Sequence, residues 1–143
     1  MTFLLDVSVL LILHDTRHPH YKTVSQWFAR PSSMPFATCP ITQSGLVRLL
    51  TSGVPGLAPI RMQEARDALQ RLVQLPGHVY WPDAPDWLKA TESLLPRMQG
   101  HRQTTDAYLL GLAIHNKGKL ATLDSGICHL AGTKFSHLVE LIS

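Results

Sequence analysis

Cysteine is scarce: Cys39 and Cys128 are the only two in 143 residues. They form neither a disulfide framework nor the close pairs of a zinc site, and they read as reduced thiols of a cytosolic protein. Charge is sparse as well, with 16% Asp, Glu, Lys and Arg against 45% hydrophobic residues. That balance excludes a disordered chain. The basic excess is small, a net charge of +3, which is compatible with nucleic acid but does not by itself argue for it. No apolar run reaches the roughly 20 residues of a membrane span. The apolar start, Thr2 to Leu13, lacks a basic leader and a small-residue cleavage site and is interrupted by Asp6. It does not read as a signal peptide, so a cytoplasmic protein is expected. Internal repeats, low-complexity tracts and dividing linkers are all missing, which leaves one domain over residues 1–143.

Within that domain, short apolar runs alternate with helical patterns. Thr2 to Leu5, Phe36 to Cys39, His78 to Trp81 and Leu120 to Leu123 read as strands, too apolar to be half exposed, with His137 to Leu141 a candidate fifth. Val7 to His14, His20 to Arg30, Ile41 to Thr51, Met62 to Gln74, Trp87 to Met98 and Thr104 to Asn116 read as helices, with Thr104 as the expected N-cap of the last. The stretch Thr51 to Pro59, with two Pro and two Gly, is a connection. This alternation predicts a three-layer α/β/α sandwich around a mostly parallel sheet of four to five strands.

Three aspartates stand in unusual places. Asp6 ends the first strand, Asp124 ends the fourth, and Asp106 opens the apolar helix running on from Ala107. Carboxylates are seldom buried without a partner, and the adjoining apolar runs hold no Arg and only Lys119. In parallel sheets ligands gather at the carboxyl ends of strands, and the N-terminal turn of a helix favours negative charge, so the three acids can converge. Two carboxylates about 4 Å apart repel by roughly 4 kcal/mol at an effective dielectric near 20, so convergence calls for a cation. Hard oxygen ligands favour Mg²⁺ or Mn²⁺, a combination suited to phosphodiester hydrolysis. Taken singly, Asp106 also fits a helix-start acid and Asp124 a turn residue before Ser125-Gly126.

With those residues in view, the chain resembles PIN-domain proteins, in particular the VapC-type toxin ribonucleases. Phe3-Leu4-Leu5-Asp6-Val7-Ser8 resembles the family's opening strand and acid. Gly100 to Leu109, around Asp106, resembles the third-acid motif, and Ala121-Thr122-Leu123-Asp124 the terminal Thr-x-Asp. The resemblance implies a PIN-like fold and a Mg²⁺- or Mn²⁺-dependent endoribonuclease, the toxin of a type II toxin–antitoxin pair. It implies metal ligation by Asp6, Asp106 and Asp124, an RNA substrate, a small VapB-like antitoxin in a groove near the acids, and a homodimer. The family's second acid is usually Glu, and the matching position here is Gln43. An amide can coordinate or hold a water but cannot act as a base, so one charge fewer and weaker metal binding are expected.

Ser8 and Thr122 are candidate hydrogen-bond donors to the acids. Arg48 and Arg102 are candidate phosphate contacts, because guanidinium matches phosphate oxygens in pairs. His14, His18, His20 and His101 fit no H-E-x-x-H spacing, and Trp27, Trp81 and Trp87 suit core or interface better than base stacking. Two further functions stay open. An aspartyl-nucleophile phosphatase also places Asp after the first strand but needs a second Asp at the position of Ser8. A degenerate PIN domain that binds RNA or a protein without cutting is kept in view by Gln43.

Overall fold

Phe3–Leu5 is apolar on both sides because both of its sides are covered. In the computed structural model, which describes Met1 to Ser143, Phe3 and Leu5 face one core while Leu4 faces another. This period-2 alternation assigns each strand residue to one of two helical layers. The strands are β1 (Phe3–Leu5), β2 (Phe36–Thr38), β3 (His78–Tyr80), β4 (Lys119–Thr122) and β5 (Val139–Leu141), in the order β3-β2-β1-β4-β5 and all parallel. The expected α/β/α sandwich is therefore present, with the fifth strand included.

One layer holds α1 (Val7–His14), α2 (Tyr21–Phe28), α3 (Pro40–Ser52) and α4 (Met62–Val73). Val9, Leu10, Val24, Trp27, Leu46, Leu50 and Ala65 pack there against Phe3, Leu5 and Phe36. The other layer holds α5 (Trp87–Thr91), α6 (Thr104–His115) and α7 (Gly126–Phe135), whose Ala90, Leu109, Leu112, Ile127 and Leu130 close over Leu4, Ala37 and Leu120. No helix is long and apolar enough to cross a membrane.

Three details depart from the sequence reading. The helix expected over Trp87 to Met98 ends at Thr91, and Glu92–Arg97 continues as a 3-10 helix containing Pro96, because proline lacks the donor a continuing α-helix needs. Thr104 is not the N-cap of α6 but its first residue: its hydroxyl donates back to the His101 carbonyl at 2.8 Å. Helix α7 was not anticipated. Ile127, Leu130 and Ala131 give it a buried stripe, but it is short and kinks at Gly132, whose φ of 61° is non-helical.

The strand order matters most for function. From β1 the chain builds outward through β2 to β3, then returns to place β4 on the other side of β1. The direction of winding reverses between β1 and β4, and in parallel sheets the crevice at such a reversal is where ligands bind. Asp6 follows β1 and Asp124 follows β4.

Candidate active site

Leu5 pairs with Ala121 across β1 and β4, and the Asp6 N–H continues the ladder to the Ala121 carbonyl at 3.0 Å. One step further along, Asp6 stands level with Thr122. The Thr122 hydroxyl donates to Asp6 Oδ2 at 2.8 Å and accepts the backbone N–H of Asp124 at 3.0 Å. One buried hydroxyl thus ties the two strand-end acids together.

Asp6 is also the N-cap of α1, its Oδ1 accepting the Val7 N–H at 2.7 Å. Ser8 adds a long contact from its hydroxyl to Oδ2 at 3.5 Å, weak by ordinary geometry. Asp124 turns its Oδ1 back to the Gly126 N–H at 2.8 Å, which leaves Oδ2 as its free oxygen. Asp106 stands in the first turn of α6, half-buried, with no hydrogen bond to its carboxylate from within the chain.

The electrostatics link the three. Burial raises the pKa of Asp6, opposed by the Thr122 and Val7 hydrogen bonds and reinforced by the charge of Asp124. Asp106 is pushed up to about 6 by burial, then by the charges of Asp6 and Asp124. The chain has a single ion pair, Arg61–Glu64 at the exposed start of α4, so no Lys or Arg neutralises these acids. The acids do not themselves close into a three-ligand cage, as like charges without a counter-ion stand apart. A divalent cation nevertheless fits the donor set. All the donors are hard oxygens, two of the three carboxylates are already oriented by hydrogen bonds, and a cation would offset both the burial and the mutual repulsion that raise Asp6 and Asp106.

Gln43 lies one turn into α3, but its side chain is not joined to any of the three aspartates. Its Nε2 donates to Thr38 Oγ1 at 3.0 Å, and the same Thr38 oxygen is 2.7 Å from His78 Nε2. Thr38 and His78 escaped the sequence reading, since only the pairing of β2 with β3 brings them beside Gln43. Arg48 on α3 and Arg102, in the 3-10 turn before α6, are exposed and make no side-chain hydrogen bond. His18 and His20 pack ring against ring away from the acids. Trp27 is core, with its indole N–H on Glu140 at 3.1 Å.

Comparison with known proteins bears on this arrangement. The PIN domain family model matches residues 3–133. Ribonuclease VapC29 of Mycobacterium tuberculosis is 42% identical over 132 residues, 92% of each chain. Ribonuclease VapC39 of the same organism is 33% identical over 142 residues, 99% of this chain and all of that one. Among solved structures, VapBC2 from Rickettsia felis bound to a DNA fragment from its promoter superposes with a TM-score of 0.67 at 11% identity, covering both chains completely. FitAcB from Neisseria gonorrhoeae superposes with a TM-score of 0.65 at 18% identity, over 99% of this chain and 96% of that one. At these identities the two structures speak for the fold.

Proposed function

The chain belongs to the PIN-domain family, in its VapC-type ribonuclease branch, and from that premise we propose that it is the endoribonuclease toxin of a toxin–antitoxin pair, hydrolysing RNA phosphodiester bonds. The reading is supported by Asp6 and Asp124 following neighbouring strands at the β1/β4 reversal, close enough for their charges to act on Asp106, with no basic partner for any of the three.

Asp6, Asp106 and Asp124 would hold a divalent cation, Mg²⁺ or Mn²⁺, which supplies water activation and charge neutralisation at phosphate when bound. The protein's own contribution is orientation and charge. Thr122 and the Val7 N–H fix both oxygens of Asp6, and Gly126 fixes one oxygen of Asp124. Asp106, its pKa raised to about 6 by burial and by its acidic neighbours, is an acid whose ionisation a nearby positive charge would favour. Gln43 brings no charge to this edge. Arg48 and Arg102 are free to meet the phosphates of a bound strand.

An antitoxin has a fitting place. A groove of about 530 Å³ runs between the helices of the first layer, walled by Leu10, Leu13, Tyr21, Phe28, Leu46 and Leu72. It suits the apolar face of a partner helix or strand. Assembly as a homodimer is part of the same proposal.

The test is cleavage of structured RNA in Mg²⁺ or Mn²⁺ beside Asp6→Asn, Asp106→Asn and an EDTA control. Cutting by the wild type alone, abolished by EDTA, is the expected result. RNA binding that needs no metal and leads to no cleavage would instead favour a binding-only PIN domain.

A further inference from the structure

We propose that the polar cleft between the start of α3 and the outer face of α4 is a nucleobase subsite. It accepts a base carrying an exocyclic amino group, read by Gln43 Oε1. The proposal rests on RNA being the ligand of this chain, as argued above.

Thr38 Oγ1 lies 3.0 Å from Gln43 Nε2 and 2.7 Å from His78 Nε2. An amide nitrogen only donates, so Thr38 must accept from Gln43. The hydroxyl's own proton is then free for His78 Nε2, and the proposal takes that ring as the neutral tautomer protonated at Nδ1. Burial of His78 lowers its pKa, in keeping with a neutral ring. The ring is also held edge-on to Phe36, centroids 5.3 Å apart. Thr38 is fully buried, so the chain His78, Thr38, Gln43 sets which end of the amide is spent. The nitrogen is used, and Oε1 remains as an acceptor with no partner in the chain.

Gln43 lines a cleft of about 440 Å³ whose other walls come from α4, within the roughly 300–1,000 Å³ of small-molecule sites. Leu69 and Val73 provide an apolar strip for the face of a ring. Arg66 and Gln70 border it, and their side chains make no hydrogen bond within the chain. Gln63 and Asp67 are closed on one another at 2.9 Å and act as wall. Amide and guanidinium groups beside an apolar surface are the means by which proteins read the edges of unstacked bases. The location is right as well. Thr38 ends β2, which pairs with β1, and Asp6 follows β1 directly; neighbouring strands lie about 4.8 Å apart. A base in this cleft therefore belongs to a nucleotide close to the phosphate at the acids.

Cytosine and uracil separate the possibilities, because they differ at one edge position: cytosine carries a donor N4 amino group, uracil an acceptor O4. An oriented Gln43 Oε1 accepts from the first and opposes the second. The experiment measures fluorescence anisotropy of the full chain with labelled oligocytidylate and oligouridylate of equal length, in EDTA so that nothing is cut. The wild type is expected to bind oligocytidylate about 3- to 10-fold more tightly, the scale of one hydrogen bond. Thr38→Val releases the amide and brings the two affinities within about twofold of each other, while Thr38→Ser retains the preference. His78→Leu leaves the Thr38 proton to Gln43 Oε1, turns the amide over, and moves the ratio toward uracil. Gln70→Ala weakens both ligands. Equal affinity in the wild type, binding of neither, or a ratio unmoved by both Thr38→Val and His78→Leu overturns the proposal. Cleavage is scored separately. A chain that cuts RNA but binds the two oligomers alike keeps the nuclease reading and loses this one, and a chain that prefers oligocytidylate but cuts nothing does the reverse.

Discussion

The Thr122 hydroxyl bridges Asp6 and Asp124, donating to the carboxylate of one at 2.8 Å and accepting the backbone N–H of the other at 3.0 Å. That one side chain sets the spacing of the two strand-end acids on neighbouring strands. Thr122→Val keeps the shape and removes both bonds. The Asp124 N–H loses its partner and Asp6 loses the donor that most restrains its pKa. A stability loss of about 1–3 kcal/mol follows from an unmet polar group in a buried place, measured by urea denaturation. RNA cleavage should fall at least as far as stability predicts and be restored by Thr122→Ser. Cleavage unchanged in Thr122→Val would show that the bridge does not position the acids.

Asp106 makes the stability of the metal-free protein depend on pH. Its pKa is raised to about 6 from 3.8, so the folded state holds its proton more tightly than the unfolded chain does. The stabilisation is fully present below about pH 4 and is lost as pH rises through 6. Other acids and histidines titrate over the same range, so the informative quantity is the difference in Tm between wild type and Asp106→Asn. The variant is expected to gain on the wild type between about pH 4 and 7. A difference that stays constant with pH would mean that neither burial nor its acidic neighbours raise the pKa of Asp106.

The same crowding predicts how a cation acts. Mg²⁺ or Mn²⁺ should raise the Tm of the wild type at neutral pH, because a ligand that binds only the folded state stabilises it by mass action. Asp106→Asn, already relieved of repulsion, should start from a higher metal-free Tm and gain little from the ion. A variant that responds to the ion as the wild type does would remove Asp106 from the ligand set.

Gln43→Glu adds back a charge at the edge of the site. The carboxylate would compete with His78 for the Thr38 proton and raise the negative potential at the β1/β4 crevice. Divalent-ion affinity by calorimetry is expected to tighten about tenfold, equivalent to about 1.4 kcal/mol. Unchanged affinity would place position 43 outside the electrostatic reach of the acids.

The strand-end positions of Asp6 and Asp124 were legible in the sequence for a simple reason. Asp6 and Asp124 follow short, mostly apolar runs, and such runs suit strands buried on both faces of a parallel sheet. Their strand-end positions then followed from the chain itself. The neighbourhood of Gln43 was not legible, because it depends on Thr38 pairing beside Tyr80, which sets His78 two residues back along β3 within reach. That register is a tertiary fact with no local signal. Helix α7 was missed for the opposite reason: its own residues describe it poorly, with Gly132 breaking the pattern, and it is fixed by packing of Ile127 and Leu130 against the β4 side of the core.

The joint between α5 and α6 gives a prediction that connects packing with the site. Gly111 is in the middle of α6, and a Cβ there would collide with the backbone carbonyl of Ala90 in α5. The contact is with backbone, so no side-chain rotation relieves it. Gly111→Ala must push the two helices apart, costing about 1–3 kcal/mol of overpacking, against a helix-propensity gain of about 1 kcal/mol for Ala over Gly. A net loss of stability is therefore expected despite the better helix former. Because α6 carries Asp106 in its first turn, any shift of the helix also moves that carboxylate relative to Asp6 and Asp124. Divalent-ion affinity should fall together with the denaturation midpoint. Ion affinity unchanged in a destabilised Gly111→Ala protein would show that the first turn of α6 is held in place independently of its middle.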